Sequence, residues 1–154
     1  MSRLTLFCLA GLFVLMTGPD AATAQERSYD QNALRLDASF GDVSIVRGVD
    51  GQLVGKIGVF RGIDVAKVVE TSPKAVSEAK EFQRNYRPGH IALALGFITM
   101  GASIGASRIP DLNRGVTTGL TIATVGLITY GGTRLQKAYT ALHKSLWLYN
   151  RDLK

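Results

Sequence analysis

The sequence predicts an α+β chain in which a small antiparallel β element and a juxtamembrane helix are followed by a two-helix transmembrane hairpin and an amphipathic C-terminal helix. Three observations carry this. Two apolar, glycine-rich stretches, Ile91 to Ala106 and Gly115 to Thr133, are separated by the short polar break 107–114. Residues 34–60 alternate in hydropathy and carry turn residues at strand spacing. The last twenty residues place Leu135, Tyr139, Leu142, Leu146, Tyr149 and Leu153 on one helical face.

Residues 1–24 read as a signal peptide. Arg3 supplies the positive start, Leu4 to Met16 the apolar core, Gly18 and Pro19 the break, and Ala22-Thr23-Ala24 the small residues before cleavage at Gln25. The apolar run falls short of the roughly 20 residues that a spanning helix prefers. Cys8, the only cysteine of the 154 residues, lies inside that run. It is therefore not placed for lipid attachment, and the mature chain is expected to hold neither disulfide nor thiolate metal site.

Residues 25–71 form the exported β-rich segment. Leu34, Leu36, Ala38 and Phe40 share one face of a first strand. Val43 to Val46 and Gln52 to Phe60 are two more β-prone runs joined across 48–51, where Asp50-Gly51 is a hairpin turn signal. Asp64 is a helix cap. Ser72 caps a second helix with Pro73 at its first position, and Ala75, Ala79, Phe82 and Tyr86 form its apolar stripe. Pro88-Gly89 is expected to end this juxtamembrane helix of residues 72–89 just before the hairpin, 90–133.

Within the hairpin, small residues recur every four positions: Gly101 and Gly105 in the first stretch, Gly115, Gly119 and Ala123 in the second. These are the candidate helix-packing residues, because small side chains let two backbones approach where lipid gives no hydrophobic drive for association. The same grooves are expected to serve copies from other chains. Thr117, Thr118, Thr121, Thr124, Thr129 and Thr133 are tolerated because a threonine hydroxyl can bond the carbonyl one turn earlier.

The net charge of +6 survives signal cleavage. Basic residues flank the apolar spans, so Arg84, Arg87, Arg134 and Lys137 are the candidate lipid-headgroup contacts, each worth about 1 kcal/mol near an anionic surface. That placement, in an exported chain, argues against nucleic acid as a partner. A cleaved signal puts the N-terminal segment outside, the 107–114 loop in the cytoplasm and the C-terminus, residues 134–154, outside again; the positive-inside tendency alone prefers the opposite. The C-terminal helix has three competing destinations, of which packing within the same protein is favoured over the membrane surface and another chain. Trp147 is expected to widen its apolar side.

Chemistry is sparse. The glycines between 41 and 62 match no phosphate-cradling loop. Asp37, Asp42, Asp50 and Asp64 sit on different turns and read as solvated surface. His90 and His143 lack acidic or cysteine partners at ligand spacing. No nucleophile and base can be assembled, so neither catalysis nor a cofactor or metal is expected.

A β-rich exported segment, Ser72-Pro73-Lys74-Ala75, a glycine-rich hairpin and the ending from Ala141 to Leu153 (ALHKSLWLYNRDL) together resemble a group of small, largely uncharacterised bacterial envelope proteins. The hairpin is also similar, in small-residue spacing, to glycine-zipper envelope proteins. The resemblance implies architecture rather than activity. Separately, the chain is expected to be integral to a membrane of the bacterial envelope, the inner membrane favoured over the outer, with its N-terminal segment exported. The expected role is non-enzymatic and structural or associative, with membrane lipids and a homo-oligomer or another envelope protein as partners; the alternative is a small oligomeric channel or transport-accessory subunit.

Overall fold

The computed structural model describes residue 26 and residues 28–39, 42–59, 62–109 and 113–153. The signal-peptide reading of residues 1–24 lies outside them, as does Phe40. The described chain is α+β. Three strands, β1 (Leu34–Ser39), β2 (Asp42–Arg47) and β3 (Gln52–Ile57), are followed by a single turn α1 (Val65–Val68) and two long helices, α2 (Pro73–Ala106) and α3 (Arg114–Asp152).

The strands form an antiparallel meander in the order β1-β2-β3. Leu34 pairs with Arg47 and Leu36 with Ile45, and a bulge between Ile45 and Val46 shifts the register against β3. The β2–β3 turn closes on Gly48 (φ 72°) and Gly51 (φ 68°), where a side chain would be strained. Gly48 is doubly constrained, since a Cβ there would lie 2.8 Å from the Gln31 carbonyl oxygen.

One face of this sheet lies on the first half of α2 and the last half of α3. Leu34 and Ile45 from the sheet, Val65 and Val69 around α1, Ala75, Ala79, Phe82 and Tyr86 from α2, and Ala138, Leu142, Leu146 and Tyr149 from α3 make one core. The apolar stripe expected on α2 is thus buried, and the C-terminal segment packs within its own chain. Trp147 departs from expectation. It is 61% exposed on the opposite face of α3, with the Arg151 guanidinium 5.3 Å from its ring centre.

Caps and side chains fix the ends. The Ser72 hydroxyl accepts from the Ala75 N–H at 3.3 Å and donates to Asp152 at 2.5 Å, tying the start of α2 to the end of α3. That bond and the neighbouring Arg151 hold the Asp152 carboxyl below the usual carboxylate range. Asp64 caps α1 through the Ala66 N–H, and the Gln83 amide, 2.7 Å away, lowers its carboxyl likewise. Ser145 donates to the Ala75 carbonyl at 2.9 Å inside the core.

Asn150 completes the sheet edge. Its Oδ1 accepts from the Leu34 N–H and its Nδ2 donates to the Leu34 carbonyl, both at 2.8 Å. A side-chain amide therefore stands where a fourth strand would pair. Asn150→Ala leaves both backbone groups of a buried residue without partners and is expected to destabilise the protein by about 2 kcal/mol. Urea denaturation checks this, and an unchanged midpoint would refute the edge-capping role.

The long helices correct one expectation. Pro88-Gly89 does not end a helix; α2 runs through it without a break. An internal proline removes a ladder hydrogen bond and costs about 3 kcal/mol. Here α2 is buried on both sides of it, through Asn85, Tyr86 and Gly89 and then Ala92 and Gly96, and that packing offsets the loss. The second apolar stretch and the C-terminal segment are likewise one continuous helix.

Candidate functional site

The distal halves of α2 and α3 rise beyond the sheet. From 91 to 107 and from 115 to 133 no side chain is charged, lengths of about 25 and 28 Å at 1.5 Å per residue. In the proximal halves the seam is apolar, while Lys74, Lys80, Arg84 and Arg87 on α2 and Lys137, Lys144 and Arg151 on α3 face outward. In the distal halves this polarity reverses. Ile91, Leu95, Phe97, Ile98, Ile104, Val116, Ile122 and Val125 are 42 to 67% exposed.

The distal seam mixes hydroxyls with small and apolar residues, among them Ala92, Leu93, Gly96 and Ile128. Thr99 and Thr124 hydroxyls lie 3.0 Å apart, as do those of Ser103 and Thr121. Each threonine also reaches its own helix: Thr99 to the Gly96 carbonyl, Thr117 to Arg114, Thr121 to Thr117, Thr124 to Leu120 and Thr133 to Thr129, all at 2.9–3.0 Å. Of the six threonines expected to back-bond, Thr117, Thr121, Thr124 and Thr133 do so. The bridges between helices were not foreseen, because they depend on which threonines share the seam.

The glycines at the seam differ from those the spacing singled out. A Cβ on Gly131 would lie 2.9 Å from the Gly89 carbonyl oxygen and the Leu93 nitrogen. On Gly89 it would meet Leu135 at 2.9 Å, and on Gly96 it would meet Ile128 at 2.8 Å. Gly101, Gly105 and Gly119 have nothing within 4 Å, Gly115 meets only its own cap Asn113, and Ala123 is exposed. Within one chain, then, the five candidate positions do not form the contact. At 100° per residue, Gly101 and Gly105 sit two positions either side of Ser103, which turns them to the opposite face.

A polar collar separates the two halves. Asn85 is fully buried; its Nδ2 donates to the Glu81 carbonyl at 2.8 Å and to the Glu81 carboxylate at 2.6 Å. Its Oδ1 accepts from Arg134 at 2.7 Å, and the Arg134 guanidinium lies 5.1 Å from the Tyr130 ring centre. Arg84, Arg87 and Lys137 stand exposed at the same level, and Arg108 and Arg114 mark the far end. The four candidate headgroup residues therefore share one belt, and Arg134 alone among them is braced by a buried partner. Asn85 carried no sequence signal beyond being polar in an apolar register.

His90 sits edge-on to Tyr86, ring centres 4.5 Å apart, and its Nε2 is buried without a partner; His143 is exposed about three turns of helix away from that level. Among the described residues no group of three or more His, Cys, Asp or Glu side chains is arranged to hold a metal ion. By length and composition, one described helix, α2, is able to cross a membrane, and only 17% of its apolar stretch is buried. The Thr-rich stretch of α3 does not reach the same apolarity. No family model matches the sequence, and neither a curated protein nor a solved structure matches the chain.

Proposed function

We propose that this chain is an integral membrane protein of the bacterial envelope, with the distal helix pair spanning the bilayer as a two-helix hairpin and the sheet-bearing head standing at its surface. The role is associative or structural rather than catalytic. The observation that carries this is the reversal of polarity along the helix pair. A water-soluble pair keeps its large hydrocarbon side chains inside throughout. Here many of them face out along a length near that of a bilayer core, about 30 Å, while the seam admits the Thr99–Thr124 and Ser103–Thr121 hydroxyl pairs beside Ala92, Leu93, Gly96 and Ile128. The low burial of the apolar stretch of α2 supports the same reading, since the core helix of a soluble protein is mostly buried. Apolar patches of this extent on a free surface mark an interaction site.

A cleaved signal would put the head on the exported side and the 107–114 tip in the cytoplasm. The channel alternative draws less support, because the seam hydroxyls bond one another and their own helices instead of lining an open surface.

Single cysteines test the proposal, since Cys8, within the segment read as a signal peptide, is the one cysteine of the sequence. Cysteines replacing Ile98 and Ile122 are expected to resist a membrane-impermeant maleimide in intact membranes, one replacing His143 to react from the exported side, and one replacing Ile109 to react only after the inner face is opened. Labelling at 98 and 122 as fast as at 143 would overturn the membrane reading.

A further inference from the structure

We propose that the head holds one phospholipid whose headgroup carries a primary ammonium next to its phosphate, in the groove between α2 and α3 where they enter the bilayer. This rests on the membrane reading above and names the lipid that the belt selects. The groove, about 490 Å³, is formed by the two helices alone. Its α2 wall is acidic, with Glu78 and Glu81; its α3 wall is basic, with Lys137 and Lys144, and carries the Thr133 and Thr140 side chains. At the end away from the bilayer, Lys144 and Glu78 pair with each other at 2.5 Å. Glu81 makes no ion pair among the described residues.

Arg134 does not line the groove itself but stands next to Thr133, beside the bilayer end of its α3 wall. Buried Asn85 fixes its guanidinium through one N–H, and the Tyr130 ring flanks it. The rest of its fork of donors is left for an anion. Lys137, one turn along on the same face, adds a second cation. A phosphate at Arg134 and Lys137 is then followed, going away from the bilayer, by Glu81. Asn85 and Glu81 are one helical turn apart, about 6 Å along the axis, and an ethanolamine ammonium lies two carbons beyond its phosphate.

The order of charges matches: cation near the bilayer for the phosphate, carboxylate farther out for the ammonium. The glycerol headgroup of an anionic lipid offers Glu81 only neutral hydroxyl donors, without the charge of an ammonium. A choline headgroup cannot donate a hydrogen bond to that carboxylate. The buried amide has a positioning role, since it binds Glu81 and Arg134 at once and so sets the distance between the two charges that read the headgroup.

The test uses the full chain purified in detergent and reconstituted into nanodiscs containing phosphatidylethanolamine, phosphatidylcholine or phosphatidylglycerol, with bound lipid counted by native mass spectrometry after gentle detergent release. One phosphatidylethanolamine is expected to be retained roughly tenfold more than either other lipid, the worth of about one charge-assisted bond. Glu81→Gln, at an exposed position, is expected to abolish the preference over phosphatidylglycerol, and Arg134→Lys, which keeps the charge and loses the fork, to weaken retention. Unfolding midpoints confirm that both variants are folded. Stronger retention of phosphatidylglycerol, or equal retention of all three, would overturn the proposal while leaving the membrane reading intact. Failure to enter any nanodisc would overturn both.

Discussion

Gly131→Ala is expected to push the two long helices apart, and Gly119→Ala, twelve residues earlier in the same helix, to stabilise them. The added methyl at 131 lies 2.9 Å from the Gly89 carbonyl oxygen and 2.9 Å from the Leu93 nitrogen. Both are backbone atoms of α2 and neither can rotate away, so one helix must move. Overpacking of this kind costs about 1–3 kcal/mol. The shift also loosens the hydroxyl bridges farther along the seam, at Thr99 with Thr124 and Ser103 with Thr121. Alanine's better helix propensity returns about 1 kcal/mol, leaving a net loss of up to about 2 kcal/mol. At Gly119 nothing lies within 4 Å, so the propensity gain stands alone. Thermal unfolding followed by circular dichroism in detergent reads both. Equal destabilisation by the two variants would mean that the helices meet through the outward glycines instead.

That contrast shows where sequence reasoning reached and where it stopped. The strands, the 48–51 turn, the Asp64 and Ser72 caps and the buried stripe on α2 were legible because each depends on residues close in the chain. The helix contact was not. Glycines four apart drew attention to 101, 105, 115 and 119, yet the observed seam steps by four and three. On α3 it runs through Thr117, Thr121, Thr124, Ile128, Gly131, Leu135, Ala138, Leu142, Ser145 and Tyr149. This is the 3.5-residue period of helices that wrap around one another. Its residue types change halfway, from hydroxyl and glycine to hydrocarbon, so no single hydropathy pattern marks it. The same change hid the continuity of both helices, because each half resembles a separate element. Asn85 and Asn150 were beyond reach for another reason. Asn150 acts on a residue 116 positions away and Asn85 on one 49 away, and single-sequence periodicity carries no information about such partners.

Ile98→Lys and Ile122→Lys are expected to drive the protein out of the alkali-resistant membrane fraction while leaving the head folded. Both isoleucines are 67% exposed and neither belongs to the core. In water, exposed positions of this kind tolerate lysine within about 0.5 kcal/mol, and replacing hydrocarbon with charge would improve solubility. In a bilayer the same change puts a cation in the middle third of each apolar stretch, at about 2.5–3.5 kcal/mol on insertion scales. That corresponds to roughly a hundredfold loss of inserted protein for each substitution. Leu53→Lys supplies the comparison, since Leu53 is 57% exposed on the head and is expected to change nothing. The outcome depends on solvent rather than on contacts: the chain's own packing is indifferent at 98 and 122, so any large effect there must come from what surrounds the helices. If both lysine variants partition as the parent chain does, water and not lipid surrounds these two positions, and the membrane reading of the helix pair fails.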